Sequence, residues 1–444
     1  FGLGASGNAT AQALMAGGAR VSAWDDSEAG REGAAKAAIP VDDLNAADWS
    51  RFSALVLAPG VPLTHPEPHW VVKKAQDAGV EVIGDVELFF RERAAHCPDA
   101  PVIAITGTNG KSTTTALIAH ILKEAGRDVQ LGGNIGRAIL TLDPITPERV
   151  YVVECSSFQI DLAPSINPSV GILLNVTPDH LDRHGTIANY AAIKERLVSG
   201  SDAAVVVIDD EWTRAVAGRL APSGKPLTTV STLAKADVTF EGSTIMARGE
   251  PVADLSGIGS LRGRHNGENA STAYAALRLA GLLDREIVPH IKTYPGLAHR
   301  MEEIGRLGRT LFINDSKATN AESTEKALSS WDRGIHVILG GKPKEGGIEM
   351  LRPYFPRIAK AYLIGAATEE FAATLGTNVP FERCGTMDRA VAQATINALS
   401  DGGTDTVVLL SPACASYDQY KNFEQRGDHF RTLVAGEIAA RSGA

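Results

Sequence analysis

The sequence predicts an α/β fold in which parallel sheets are built from three consecutive segments of the chain. Its length of 444 residues corresponds to roughly three domains of average size. Short runs rich in Val and Ile alternate with helix-compatible stretches, which is the pattern of βαβ units. Gly-rich or polar turns follow several of these runs, as at residues 107–113, 154–159 and 411–416. Since open α/β sheets bind ligands at the carboxyl ends of their strands, we expect functional residues in these turns.

The first segment, which we place at residues 1–92, begins inside a Gly-rich turn at residues 2–7. A helix-like stretch follows, and then an apolar strand that ends in Asp25 and Asp26. This order is that of a βαβ unit with an acidic residue after its second strand. We expect most of a first strand upstream of Phe1. The glycine spacing is imperfect for a dinucleotide fingerprint, so an NAD(P)-dependent oxidoreductase is a hypothesis that rests on this turn alone.

The second segment, at residues 93–297, contains the most informative motif, directly after the apolar run 102–105. A strand, a Gly-rich turn and a helix-compatible stretch form the arrangement that cradles phosphate groups. Its residues are Gly107, Thr108, Asn109, Gly110, Lys111, Ser112 and Thr113. The glycines let backbone N–H groups approach phosphate oxygens, Lys111 supplies a positive charge, and the Ser112 hydroxyl is a candidate Mg²⁺ ligand. Ile105 stands where the longer form of the motif has its first glycine, so the match is to a shorter form.

Further turns of the second segment carry polar side chains. Glu154 ends an apolar strand, where a carboxylate can hold a cation on ATP. His180 follows another apolar strand and a turn, and neutral imidazole suits divalent cations. Lys194 by itself has the pattern of a solvated helix lysine. Asn269 lies where a helix opens and could bind a base or a phosphate, whereas Asn266 could simply cap that helix.

The third segment, at residues 298–444, has charged groups around its first strand. Arg300 and Lys317 suit a γ-phosphate or an anionic intermediate, and Asp315 suits a ribose or a water-linked metal, with surface ion pairing as the alternative. Residues 411–423 follow the last strong strand and combine hydroxyl and small side chains. This composition predicts a carboxylate pocket at a helix N-terminus.

The overall composition excludes several classes of protein. A net charge of −9 argues against nucleic acid as the main partner, so we expect small-molecule substrates. The four cysteines show no CxxC pattern, which fits a reducing cytoplasm without disulfides or a zinc site. No apolar run approaches the ~18 residues of a membrane span, and no signal peptide is visible. The sequence leaves the oligomeric state open, and we expect a monomer.

Taken together, these motifs resemble the Mur ligase family, and they follow the family order over nearly the whole chain. The residues that carry the resemblance are 107–113, 154–159, 179–182, Lys194, 265–269, 299–302 and 314–317. The resemblance implies a Rossmann-like N-terminal domain, a P-loop ATPase-like central domain with a parallel sheet, and a Rossmann-like C-terminal domain. It also implies the ATP-dependent addition of D-glutamate to UDP-N-acetylmuramoyl-L-alanine through an acyl phosphate. The absence of an Asp-Asn-Pro-Arg motif argues against the ligase that adds diaminopimelate or lysine, and residues 154–159 argue against folylpolyglutamate synthase.

The resemblance further implies roles at the ATP site. The implied catalytic residues are Lys111, Glu154, His180 and Lys194. Of two expected Mg²⁺ ions, the first would be held by Ser112 and Glu154, and the second by His180 and a carbamylated Lys194. Carbamylation would turn a cationic lysine into an anionic ligand. ATP would be bound by residues 107–113 with Asn269, Arg300, Asp315 and Lys317.

The remaining implied roles concern the other two substrates. The UDP-sugar would contact Ser6, Asp25, Asp26, Gly60, Asn134 and His180. D-glutamate would contact Thr319, Lys344, Ser416 and Phe423. Lys342 could replace Lys344, because both lie in one short turn. Ser27 follows Asp26, and the uracil-side contacts vary within the family, which leaves the exact UDP contacts open.

Two other functions stay open at this point. One is a sister ligase that adds a different amino acid. The other, from a different class, is a plain nucleotide-binding module or ATPase switch, against which the set of Glu154, His180 and Lys194 argues.

Overall fold

The computed structural model describes residues 1–343, 346–401 and 405–442. The chain divides into two compact units, the first formed by Phe1–Gly257 with Arg264–Tyr294 and the second by Ile258–Gly263 with Pro295–Ala444. Among the described helices, none has the length and apolar character needed to cross a bilayer. The domain boundaries predicted at 92/93 and 297/298 stay predictions.

The first unit contains a small parallel sheet and a nine-stranded sheet. The small sheet pairs β1 (Ala54–Val56) with β2 (Glu81–Ile83). The large sheet has the order β11-β10-β9-β8-β7-β6-β3-β5-β4, with only β10 antiparallel to its neighbours. Its strands are β3 Val102–Thr106, β4 Val129–Gly133, β5 Val150–Glu154, β6 Val170–Leu173, β7 Ala203–Val207, β8 Leu227–Ser231, β9 Val238–Glu241, β10 Thr244–Ala247 and β11 Glu250–Asp254.

The second unit contains a six-stranded sheet of order β12-β13-β17-β14-β15-β16, in which only β12 is antiparallel to its neighbour. Its strands are β12 Glu302–Leu307, β13 Thr310–Asn314, β14 Ile335–Gly340, β15 Ile358–Ile364, β16 Phe381–Gly385 and β17 Thr406–Leu410. Two separate hydrophobic cores, one containing Leu339 and the other Ile338, lie on the two faces of this sheet.

Helices connect the parallel strands in both units. Those of the first unit are α1 Ala5–Ala16, α2 Glu28–Lys36, α3 Trp70–Asp77, α4 Asp85–His96, α5 Lys111–Glu124, α6 Ser157–Asp161, α7 Leu181–His184, α8 Ile187–Gly200, α9 Glu211–Leu220, α10 Arg264–Leu279 and α11 Asp284–Ile291. Those of the second unit are α12 Ala321–Leu328, α13 Thr368–Leu375, α14 Met387–Ser400 and α15 Phe423–Ser442.

The central strands read as continuous apolar runs because helices cover both faces of a parallel sheet. Every residue of β3, β5 and β7 is buried. Ile105 lies beside Glu154, and Thr106 lies beside Leu173, so the ends of β3, β5 and β6 meet at one edge. This register brings together three of the polar turns of the second segment, which follow Thr106, Glu154 and Leu173.

The predicted α/β character is thus present throughout the described residues. One local prediction differs, since residues 20–24 form only an isolated parallel bridge between Ala23 and Val41. Ala23 makes two backbone hydrogen bonds across that bridge, to Pro40 and Asp42, and the pairing does not extend further. Two backbone hydrogen bonds are too few to form a regular β-strand.

Candidate active site

The phosphate loop leads directly into α5. A different close contact requires glycine at each of its two glycine positions. Gly110 has a φ of +84°, and a Cβ there would lie 2.3 Å from Asn269 Oδ1. Gly107 has a φ of +150°, and a Cβ there would lie 2.8 Å from the Leu174 Cβ. Only glycine therefore lets the loop approach these neighbours. The first turn of α5 presents backbone N–H groups that a helix leaves without internal partners, which favours an anion.

Two lysines converge on the carbonyl groups of this loop. Lys111 Nζ donates to Gly107 O at 2.8 Å and to Thr108 O at 2.9 Å. Lys194 Nζ donates to the same Gly107 O at 2.9 Å and lies 4.6 Å from the centre of the Tyr190 ring. Lys194 is only 1% exposed, so it is not a solvated helix lysine. Burial, and then the charge of Lys111, hold the pKa of Lys194 well below its usual value, which favours the neutral amine.

Glu154 is a buried carboxylate with one oxygen in use. Its side chain is 1% exposed, and Oε1 accepts a 2.6 Å hydrogen bond from Asn134 Nδ2. Oε2 is buried without a hydrogen-bond partner among the described residues. A buried carboxylate oxygen is costly to leave unpaired, so this position suits a cation. Ser112, in the first turn of α5, is also buried.

His180 lies in a left-handed conformation, with a φ of +52°, at the start of α7. Its ring packs 4.9 Å from that of Phe158, and Nε2 lies 3.4 Å from an Asp179 carboxylate oxygen. Within the described part of the chain, no three His, Cys, Asp or Glu side chains are grouped to hold a metal.

Asn269, which we predict to bind ATP, lies against the phosphate loop and α5. Its Oδ1 accepts a 3.2 Å hydrogen bond from Thr114 of α5, and its Nδ2 donates to Asn266 Oδ1 at 3.2 Å. Asn266 therefore orients Asn269 and does more than begin the helix. Both residues are buried.

The residues predicted to contact UDP lie together in the N-terminal part of the first unit. Ser6 donates to Asp85 Oδ2 at 2.6 Å, and Asp25 Oδ2 accepts from the Leu3 N–H at 2.6 Å. Asp26 accepts from Trp70 Nε1 at 3.1 Å. The Gly60 carbonyl accepts a 3.0 Å bond from Arg183 of α7.

A cavity of about 600 Å³ lies nearby in the same part of the fold. Its wall includes Ser6 but neither Asp25, Asp26 nor Gly60. The cavity is mainly apolar, with Leu14 among its lining residues. Of these four predicted UDP contacts, the cavity therefore includes Ser6 alone.

In the second unit, Asp315 follows β13 and is fully buried. Its Oδ2 accepts from Ser411 Oγ at 2.8 Å, and its Oδ1 accepts from the Met301 N–H at 3.1 Å. Burial raises the pKa of Asp315 to about 7, against the lowering effects of the Ser411 bond and the Arg300 charge. The Arg300 Nε is itself buried without a hydrogen-bond partner among the described residues. The Arg300 Nε–H is therefore a buried donor at this position, close to the Asp315 carboxylate.

Of the predicted D-glutamate residues, Thr319 follows β13, Lys342 follows β14 and Ser416 follows β17, whereas Phe423 begins α15. Lys317 Nζ lies 5.1 Å from the centre of the Phe423 ring, and Ser416 is buried. The Thr319 N–H donates to Lys317 O. Lys342 is exposed, and its backbone pairs with Ala415 on the same edge. Lys344 lies outside the described residues.

Three residues to which the sequence analysis assigns no role also contact the predicted site residues or their neighbours. Arg183 donates to carbonyls of residues 59–61 and lies 4.7 Å from the centre of the Phe158 ring. Tyr190 packs under Lys194. Arg426 is 1% exposed and donates to Ser316 and to Cys414 O. Arg183 follows His180 by one helical turn, which is the only signal that the sequence offers for any of them.

The cysteines differ sharply in accessibility. Cys155, next to Glu154, is completely buried, and burial raises the pKa of its thiol above the usual value. Cys384 and Cys414 are also buried, whereas Cys97 at the end of α4 is partly exposed.

A phosphate loop, a buried strand-end acid and a buried lysine define the chain as a nucleotide-binding α/β protein of the phosphate-loop class. The family model described as the Mur ligase middle domain matches residues 105–277. The model described as Mur ligase, glutamate ligase domain, matches residues 299–414. The chain therefore belongs to the Mur ligase family, which confirms the resemblance.

Full-length relatives agree with the family models. The UDP-N-acetylmuramoylalanine--D-glutamate ligase of Mesorhizobium japonicum is 60% identical over 441 residues, which cover 98% of this chain and 94% of that protein. The protein of the same name from Brucella abortus is 59% identical over 453 residues, which cover 100% of this chain and 97% of that protein.

Solved structures show the same fold at low sequence identity. UDP-N-acetylmuramate-alanine ligase MurC from Thermotoga maritima matches with a TM-score of 0.60 and 17% identity over 98% of each chain. MurF from Acinetobacter baumannii matches with a TM-score of 0.58 and 18% identity over 80% of each chain. These likenesses concern the fold alone, and with the family models they confirm the predicted α/β architecture.

Proposed function

We propose that this chain is an ATP-dependent ligase that adds D-glutamate to UDP-N-acetylmuramoyl-L-alanine during peptidoglycan precursor synthesis. The observation that carries this proposal is the 59–60% identity, over nearly the whole chain, to two relatives named for that activity. The phosphate loop with Lys111 and the buried Glu154 supports it, because phosphoryl transfer needs positioned positive charge. We place the reaction in the cytoplasm and expect a monomeric enzyme.

The proposed reaction has two bond-forming steps. The L-alanyl carboxylate attacks the γ-phosphorus of ATP, which forms an acyl phosphate and releases ADP. The amine of D-glutamate then attacks the acyl carbon, loses a proton, and the resulting tetrahedral intermediate expels inorganic phosphate. Lys111, Arg300 and Lys317 are assigned to the negative charge that builds up on the transferred phosphoryl group.

Mg²⁺ fits the residues present beside the phosphate loop. The unpartnered Oε2 of Glu154 and the Ser112 hydroxyl are oxygen ligands of the kind that Mg²⁺ prefers. Asn134 holds the other Glu154 oxygen, so the carboxylate keeps one orientation. Bound Mg²⁺ supplies charge neutralisation at the phosphate oxygens. His180 and Lys194 are assigned to a second ion.

We also propose that Lys194 is carbamylated. A neutral amine attacks CO₂, forms a C–N bond and loses a proton, and the lowered pKa of Lys194 favours that neutral amine. The carbamate nitrogen keeps one N–H, which can still donate to Gly107 O. The carbamate oxygens would then provide the anionic ligand that an unmodified lysine cannot.

The other substrates are assigned to the surrounding residues. The UDP-sugar is assigned to Ser6, Asp25, Asp26, Gly60, Asn134 and His180. D-glutamate is assigned to Thr319, Ser416 and Phe423, together with Lys344 or its neighbour Lys342. ATP is assigned to residues 107–113 with Asn269, Arg300, Asp315 and Lys317.

Phosphate release from Mg-ATP tests the proposal. Release that requires both UDP-N-acetylmuramoyl-L-alanine and D-glutamate, with the expected product by mass spectrometry, is the predicted result. Lys111→Ala should abolish release, and Lys123→Ala, on the exposed side of the same helix, serves as the matched control. Release without either co-substrate would indicate a plain ATPase, and release only with another amino acid would indicate a sister ligase.

A further inference from the structure

Asn175 contacts the phosphate loop, although none of the assigned roles uses it. It follows β6 at the same sheet edge as the loop. Its Oδ1 accepts a 2.8 Å hydrogen bond from the Asn109 N–H, and its Nδ2 donates to Asn109 O at 3.2 Å. Its own carbonyl accepts a 2.8 Å bond from the Thr108 N–H. One residue therefore holds both backbone groups of Asn109 and one of Thr108.

These bonds decide which N–H groups of the loop remain for a ligand. The N–H groups of Thr108 and Asn109 both point to Asn175. The N–H groups of the first turn of α5 lack partners within the helix, and the positive end of the helix dipole lies there. The N–H groups at the start of α5 therefore remain available for an anion, whereas those of Thr108 and Asn109 are already used.

The amide of Asn175 has a defined orientation. Burial and the neighbouring Asp209 raise the pKa of Glu268 to about 7, while a hydrogen bond from Asn175 acts to lower it. An amide that donates to a carboxylate presents its nitrogen on that side. Its oxygen then faces the Asn109 N–H, as the 2.8 Å bond requires.

We propose that Asn175 is a positioning residue for ATP, which acts by fixing the backbone of Thr108 and Asn109 so that the α5 N–H groups face the phosphates. This inference rests on the proposed binding of ATP at the loop. Asn175 does not touch the reacting atoms. Its loss should therefore weaken nucleotide binding and leave the other two substrates unaffected.

The test compares Asn175→Ala and Asn175→Asp with the wild-type enzyme. Alanine removes both side-chain bonds to Asn109. Aspartate keeps the size and the acceptor for the Asn109 N–H, which protects folding, but its second oxygen repels Asn109 O. For Asn175→Ala, we expect the Kd of Mg-ADP to rise about ten- to thirtyfold, the scale for two lost hydrogen bonds. For Asn175→Asp, which loses one bond and gains a repulsion, we expect a rise of about tenfold. The KM for ATP should rise with it, while the KM values for the UDP-sugar and D-glutamate stay unchanged.

Amide hydrogen exchange of residues 107–114 supplies a readout that does not depend on activity. Mg-ADP should protect this peptide in the wild type and protect it much less in both variants. Asn189→Ala, which removes a 2.9 Å bond from a side chain to the His184 carbonyl on another element, is the matched control and should behave as wild type.

The outcomes separate this inference from the proposed function. A wild-type protein that does not bind Mg-ATP overturns both. A wild type that binds Mg-ATP, with folded Asn175 variants that bind it equally well, overturns only the role of Asn175. An equal rise in all three KM values would indicate a general loss of structure and would also overturn it.

Discussion

Replacing Asp315 with asparagine should stabilise the second unit at neutral and alkaline pH. Asp315 has a native pKa of about 7 because it is buried, compared with an ordinary value of 3.8. Since one pKa unit corresponds to about 1.4 kcal/mol, keeping this carboxylate charged costs the native state up to about 4 kcal/mol. Asparagine is neutral and can still accept the hydrogen bond from the Met301 N–H. The hydroxyl of Ser411 can rotate to accept from the new amide.

The sign of the pH dependence follows from the raised pKa. Between about pH 4 and about pH 7 the native state keeps the proton that the unfolded chain has lost, so stability falls as pH rises through this window. Above about pH 7 the full cost persists in the wild type and is absent in Asp315→Asn. The advantage of the variant should thus grow from near zero at about pH 4 to about 2–4 kcal/mol at about pH 8.

Hydrogen exchange in increasing urea measures this difference locally. The peptides to follow contain β13 and β17, which flank Asp315 and Ser411 in the second unit. Asp332→Asn, an exposed substitution in the same unit, is the control and should change stability little. A stability difference between Asp315→Asn and wild type that does not vary with pH would refute the reasoning. ATP affinity should fall in the same variant, as expected where a functional group is held at a cost in stability.

Three further predictions concern the first unit. Lys194→Ala should lower kcat at least about a hundredfold. Wild-type enzyme depleted of CO₂ should lose activity, regain it when bicarbonate is added, and show a ¹³C carbamate signal. Full activity without CO₂ would contradict this prediction. Asn134→Ala should weaken Mn²⁺ binding about tenfold, because Glu154 loses its orienting partner. Electron paramagnetic resonance measures this affinity. An unchanged Mn²⁺ affinity would assign Asn134 to substrate binding alone. Arg183→Ala should raise the KM for the UDP-sugar about tenfold, because the Gly60 carbonyl loses its hydrogen bond. The KM for ATP should stay unchanged. An equal rise in both KM values would refute a local effect.

The phosphate loop could be recognised from the sequence because its residues are consecutive, although its backbone is also held by Asn175, 66 residues from Asn109. The positive φ angles of Gly107 and Gly110 are fixed within a few residues of each other. Glu154 was predictable as a strand-end acid for the same reason. Its single unpartnered oxygen was not, because that depends on Asn134, 20 residues away in sequence.

Lys194 shows the limit of local patterns most clearly. On α8 it has the sequence pattern of a solvated lysine, yet it is buried against Gly107, 87 residues away. Only the packing of α8 across the sheet decides its burial and its lowered pKa. Asn175 lies in a polar turn that the sequence shows, but its bonds to Asn109, 66 residues away, could not be read from it. The contact between Arg426 and Ser316, 110 residues apart, was hidden for the same reason.

The distribution of cysteine exposure has a practical consequence for chemical reagents. Electrophiles and mild oxidants react with accessible thiolates, and the buried, poorly ionised Cys155 offers neither property. Covalent inhibitors could react with the Cys155 thiol only after local unfolding exposes it. Cys97, partly exposed at the end of α4, is the natural attachment point for a fluorescent label on the unmodified chain.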